Sequence, residues 1–184
     1  MPFNIQQTTK DYIEYVNQLN DKLIQYAENI KFKTIDLKQF VKSGKLPQEV
    51  GRLENCIYFI QINNMKANDA ENICKCINDL KVKDKSIKYS KVNDSSNDSP
   101  NNILYIGKSK GKLQARFNSH LKATPKSTYG LHLANWVDQF KHLNFQLYYA
   151  KVDLDKEDVD SDILEILESG LHLQAKPLLG RSGH

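Results

Sequence analysis

Tyr58, Tyr105, Lys108, Arg116, His120 and Glu168 stand in this order along the chain, and together they could break a phosphodiester bond. That reaction needs a base to activate water, positive charge where charge builds on phosphorus, and support for the departing oxygen. Arg116 has paired N–H donors suited to clamping a phosphate. Lys108 adds a point charge. Glu168 offers the kind of lone carboxylate that can hold a hard divalent cation such as Mg²⁺. A tyrosine ordinarily ionises near pH ~10, so it serves as a base only beside a cation. Each residue alone has a plainer reading: core aromatic, surface ion-pair partner or solvated helix residue. Only the set points to chemistry. Glu165 competes with Glu168 as the carboxylate that matters. His172, one turn beyond Glu168, is a lesser candidate for a second ligand. His132 and His142 show no evident partners in the sequence.

The charge distribution suggests a substrate. From Ser99 to Val137 there is no Asp or Glu, although the net charge of the chain is only +4. Lys108, Lys110, Lys112, Arg116, Lys122 and Lys126 fall in that stretch and are expected to contact a nucleic-acid backbone. From Asp153 to Glu168 the balance reverses, with Lys156 facing a run of carboxylates.

The elements that must position these groups follow from hydrophobic spacing. Tyr12, Val16, Leu19, Leu23, Tyr26 and Ile30 advance by alternating steps of four and three. They predict a helix capped by Thr8 or Thr9. Its stripe serves packing against the rest of the chain, and a homodimer through this N-terminal helix is the lesser reading. Leu37 to Val41 predicts a short second helix. Cys56 to Ile62, Ile103 to Ile106 and Phe145 to Val152 read as strands, the second ended by a tight turn at Gly107. If the first two pair, Tyr58 and Tyr105 share a face. Asn68 to Leu80, Leu113 to Leu121, the stripe Leu133–Trp136–Val137–Phe140, and Asp158 to Leu173 read as helices. Lys81 to Asn102 is polar and reads as a solvated loop. Arg116 and His120, four apart, share a helix face. Tyr129 could stack on bases, whereas Trp136 belongs to an apolar stripe. The order predicts an α+β fold: a small three-stranded antiparallel sheet flanked by helices. A helical extension over 1–50 precedes a domain over 53–184 with an insertion at about 63–102.

These residues resemble the GIY-YIG nuclease family. Cys56-Ile57-Tyr58 is similar to its first signature, with Cys for Gly, and Tyr105-Ile106-Gly107 matches the second. Arg116, His120, Glu168 and the pair Lys176-Pro177 follow at near-family spacing, with Gly180 where the family usually has Asn. The resemblance spans about Leu53 to Arg181. It implies that Glu168 ligates Mg²⁺ or Mn²⁺ and that Arg116 stabilises the transition state. It also implies that Tyr58 or Tyr105 activates water, helped by Lys108, and that His120 assists a tyrosine or contacts phosphate.

Forty per cent hydrophobic residues suffice for a core, and no stretch approaches a membrane span. Three cysteines, an odd count, fit a reducing compartment, so a cytoplasmic protein is expected. The expected function is a divalent-metal-dependent DNA endonuclease, with a restriction-type role as one version. The alternative is a DNA-binding or protein-interaction module that keeps the fold without catalysis.

Overall fold

A computed structural model of the chain describes residues 5–93, 102–122, 127–155 and 162–181. The elements are α1 (Ile5–Asn29), β1 (Lys33–Asp36), α2 (Lys38–Val41), α3 (Gln48–Gly51), β2 (Cys56–Asn63) and α4 (Asp69–Lys83). They continue with β3 (Ile103–Ser109), α5 (Leu113–Leu121), two short 3₁₀ helices (Leu133–Asn135 and Val137–Phe140), β4 (Asn144–Lys151) and α6 (Ile163–Ala175).

The sheet has four strands rather than three, all antiparallel, in the order β1-β4-β2-β3. The unexpected strand, β1, has only four residues, two of them polar or charged and exposed, so its own pattern is weak. Pairing with β4 gives it its conformation. The segment ascribed to an N-terminal extension therefore joins the sheet. It also sends Leu37, Val41, Leu46 and Val50 into the main core.

Alternation along β2 divides the interior. Cys56, Tyr58, Ile60 and Ile62 face the main core, and Ile57 faces a second cluster built with Tyr26, Ala150, Val152, Ile163 and Leu164. Tyr58 pairs across the sheet with Gly107, and Ile60 with Tyr105, so the two tyrosines do share a face. Gln61 then pairs with Ile103, which leaves Leu104 as the extra residue of a β-bulge.

Several local expectations are corrected. α1 already includes Ile5 and runs through Thr8 and Thr9, so neither caps it; Thr9 Oγ1 donates back to the Ile5 carbonyl at 2.8 Å. Gly107 lies inside β3, which continues to Ser109, and forms no turn. The stripe Leu133–Phe140 forms two 3₁₀ turns instead of one helix. Trp136 is buried there and donates its indole N–H to the Leu131 carbonyl at 2.8 Å. α4 reaches Lys83, and the described chain after it, up to Asn93, is no free loop, while 94–101 of the expected loop lie outside the described residues. Tyr89 is buried and bridges Gly130, while Val92 bridges Leu179. Too few apolar residues mark that stretch for its pattern to show this. α6 begins at Ile163, and the earlier part of the expected helix lies outside the described residues. No helix among the described residues is long and apolar enough to cross a membrane.

Candidate active site

β2 and β3 present Tyr58 and Tyr105 toward α5, their rings stacked with centroids 6.3 Å apart. Gly107 makes room for this. A Cβ there would stand 2.5 Å from Tyr58 Oη and 2.9 Å from Tyr105 Cε1. The glycine is needed for close approach, not for a turn. Cys56 occupies an ordinary extended position between Ser109 and Lys151, so a side chain is tolerated where the resemblance would place glycine.

α5 is fixed from its first turn. Leu113 N–H donates to the Leu53 carbonyl at 2.8 Å, and Gln114 Oε1 accepts from Leu46 N–H at 2.8 Å. So held, α5 aims Arg116 between the tyrosines. Its Nη2 donates to Tyr105 Oη at 2.9 Å and its Nε to Tyr58 Oη at 3.4 Å. One turn on, His120 is fully buried, with Nε2 2.9 Å from Tyr58 Oη. Leu131 N–H donates to its Nδ1 at 3.3 Å, so the proton of the neutral ring sits on Nε2 and points at Tyr58. Burial, then Arg116, push the His120 pKa well below the usual imidazole value and keep the ring neutral.

The two tyrosines are therefore inequivalent. Tyr58 is wholly buried, and its oxygen accepts from both Arg116 and His120, so neither neighbour can take its proton. Burial pushes its pKa well above the usual phenol value. Tyr105 lines an open cleft of about 520 Å³. Burial raises its pKa too, and Arg116 offsets part of that rise.

Lys108, Lys112, Arg116, Glu168 and Arg181 line the same cleft. The ammonium of Lys108 lies 3.2 Å from a Glu168 oxygen and 2.9 Å from a Glu165 oxygen. Glu168 is nearly buried, and desolvation raises its pKa against the pull of Lys108 and Arg116. Glu165 touches Lys108 but does not line the cleft. Among the described residues, no three His, Cys, Asp or Glu side chains cluster as a metal cage would require. A lone carboxylate still suits Mg²⁺, which keeps most of its shell as water and substrate oxygens.

Other expected residues fall elsewhere. His172 is buried beside Gly180 and does not line the cleft, and among the described residues its Nε2 has no hydrogen-bond partner. His142 Nε2 meets Asp69 at 2.8 Å, and His132 lies between the Lys122 and Lys88 carbonyls at 2.9 and 3.1 Å, so both histidines have partners after all. Lys110 is exposed and outside the cleft lining. Lys122 borders a separate groove with Lys38, Lys42 and Lys141. Lys126 lies outside the described residues. Tyr129 is exposed, with the Lys88 ammonium 5.5 Å from its ring centre.

Sequence reasoning missed Arg181. No spacing rule marks it. The segment after Pro177 reaches the cleft because Leu178 and Leu179 N–H groups bond the Ile103 and Leu104 carbonyls, and Gly180 N–H bonds the Lys91 carbonyl. Gly180 has φ +107°, and a Cβ there would meet the Tyr105 ring at 2.9 Å. An asparagine would not fit against Tyr105 in this arrangement.

No family model, no curated protein and no solved structure matches the chain.

Proposed function

We propose that this cleft hydrolyses phosphodiester bonds of DNA, as the resemblance to GIY-YIG nucleases implies. The observation that carries the reading is Arg116, a half-buried guanidinium bonded to both tyrosine hydroxyls at the wall of a cleft rich in cations. Lys108, Lys112, Arg116 and Arg181 face Glu168 there, an excess of positive charge that suits a phosphate backbone.

Tyr105 is the tyrosine assigned to take a proton from the attacking water, because it is the one that lines the cleft. Arg116 Nη2 favours the phenolate that this role requires. Tyr58 instead holds Arg116 in place through its oxygen, and His120 holds Tyr58. As a bond forms between the water oxygen and phosphorus and the bond to the departing oxygen breaks, Arg116 and Lys108 lie beside the growing charge. Arg181 adds a second guanidinium to grip the backbone. Glu168 would hold Mg²⁺ or Mn²⁺, which supplies Lewis-acid stabilisation when bound.

The test is cleavage of supercoiled plasmid with Mg²⁺ or Mn²⁺ by the wild type, Glu168→Ala and Arg116→Ala. Products formed by the wild type and lost in both variants support the reading. Full cleavage by Glu168→Ala removes the metal assignment. One observation favours a binding module without catalysis: Lys108 is already paired with both Glu168 and Glu165. Salt-sensitive DNA binding with intact plasmid under every divalent metal would establish that alternative.

A further inference from the structure

Helix α1 carries two apolar stripes, and among the described residues only one is packed within its own chain. Residues on a helix advance about 100° each. On that wheel, every charged residue of α1 (Lys10, Asp11, Glu14, Asp21, Lys22 and Glu28) falls within one arc of about 120°. The remaining surface is uncharged. Leu19, Leu23 and Tyr26 form the first stripe and pack on the second hydrophobic cluster with Leu167 and Leu171 of α6. Ile13, Val16, Ile24 and Ala27 form the second, around Asn20. This stripe is bare: Ile13 is 54% and Ile24 59% exposed. It continues into an apolar groove of about 470 Å³, where Ile24, Ala27, Ile30 and Phe32 face Ile166 and Leu171.

The outer half of α1 also lacks support. From Ile5 to Gln18 no side chain is buried, and only Val16 is even half-buried. A helix of about that length is marginal in water on its own.

We infer that a second copy of this chain covers this face, with the two α1 helices antiparallel across a two-fold axis at Asn20. In that register Val16 of one copy lies against Ile24 of its mate, and Ile13 lies against Ala27 at the mouth of the groove. Each contact occurs twice, as an isologous interface requires. The two Asn20 amides meet on the axis, where each offers a donor and an acceptor, and a single polar pair there fixes the register. Charge selects the direction. Antiparallel helices bring Lys10 beside Glu28 of the mate, once at each end of the pair, whereas parallel helices would set both residues against the uncharged flank of the mate around Tyr12, Leu19 and Leu23. Asn20 on the axis is uncharged, and Asp21 beside it faces its copy at the solvent edge, where water and salt screen the repulsion. The inference rests on the packing of α1 and not on the reading of the cleft.

The experiment is light scattering coupled to size exclusion on the full chain, with paired cysteine variants. The wild type should elute at about twice the 21.2 kDa chain mass. Ile13→Glu with Ile24→Glu should halve that mass and keep the near-ultraviolet dichroism of the folded chain. Mixing Ile13→Cys chains with Ala27→Cys chains under oxidation should give the mixed cross-link in excess of either self-pair and of the wild-type background. A wild type that runs at the single-chain mass at every concentration overturns the inference. So does a dimer unmoved by the glutamate pair, or a preference of Ile13→Cys for itself, which would mean another face or a parallel pair. If the glutamate pair misfolds, the cross-links decide alone.

Discussion

Gly107→Ala should destabilise the chain far more than alanine in a strand ordinarily does, because of what stands over that glycine. The added Cβ would lie 2.5 Å from Tyr58 Oη, 2.6 Å from Tyr58 Cζ and 2.9 Å from Tyr105 Cε1. Ordinary contact would require Tyr58 to move by about an ångström in a close-packed interior. The ring has no free direction. Phe117 lies 5.2 Å and His120 5.9 Å from it, centre to centre, and its oxygen is held by His120 and Arg116. Overpacking of this kind costs about 1–3 kcal/mol. Weakening the bond between Tyr58 and His120 adds about 0.5–1.5 kcal/mol. The sum, roughly 2–4 kcal/mol, should lower Tm by about 5–15 °C in a chain of this size. Thermal unfolding followed by circular dichroism measures it. Gly111→Ala is the control, since a Cβ there meets nothing within 4 Å. It should stay within about 0.5 kcal/mol of wild type. If Gly107→Ala melts with the wild type, or the control falls as far, the close-approach argument is refuted.

Other predictions concern the groups around Arg116. Tyr105→Phe should slow cleavage by about 10²–10⁴-fold, the usual contribution of a general base. Tyr58→Phe should instead cost about 1–3 kcal/mol of stability, because His120 loses its partner in the interior. Single-turnover rates and melting curves, taken together, would show the opposite assignment if the two effects were exchanged. Glu165→Gln should leave cleavage within a few-fold of wild type (roughly the effect of a surface ion pair), whereas Glu168→Gln should abolish it; equal losses would make the pair a shared site. Stability should also fall in mild acid. The His120 pKa is lower folded than its unfolded value of 6.5, so below that pH the unfolded chain binds a proton the folded chain refuses. Stability is then full above pH 6.5 and declines as pH drops toward the folded value. His120→Gln should flatten that part of a denaturation series, and an unchanged slope would count against a neutral buried ring.

The sequence by itself determined the strands and helices with strong periodicity. β2 and β3 are apolar, β-branched or aromatic on both faces, β4 alternates, and α1, α4 and α5 carry helical apolar spacing, so each is legible without coordinates. It also supplied Tyr58, Tyr105, Lys108, Arg116 and Glu168 as one set, because residue chemistry and order survive without coordinates. The tertiary structure decided the rest. β1 is a strand only because β4 offers it an edge, and no four-residue pattern carries that information. The described part of the polar stretch after α4, up to Asn93, is fixed by backbone pairing at Tyr89 and Val92, which side-chain composition does not report. The choice between the tyrosines was likewise invisible. Both have the same chemistry, lie on one face and are buried, and only Tyr105 lines the cleft. Arg181 reaches the cleft through carbonyls of β3 and of Lys91, partners remote in sequence. Periodicity encodes which face is buried; proximity between distant segments arises only when those faces pack.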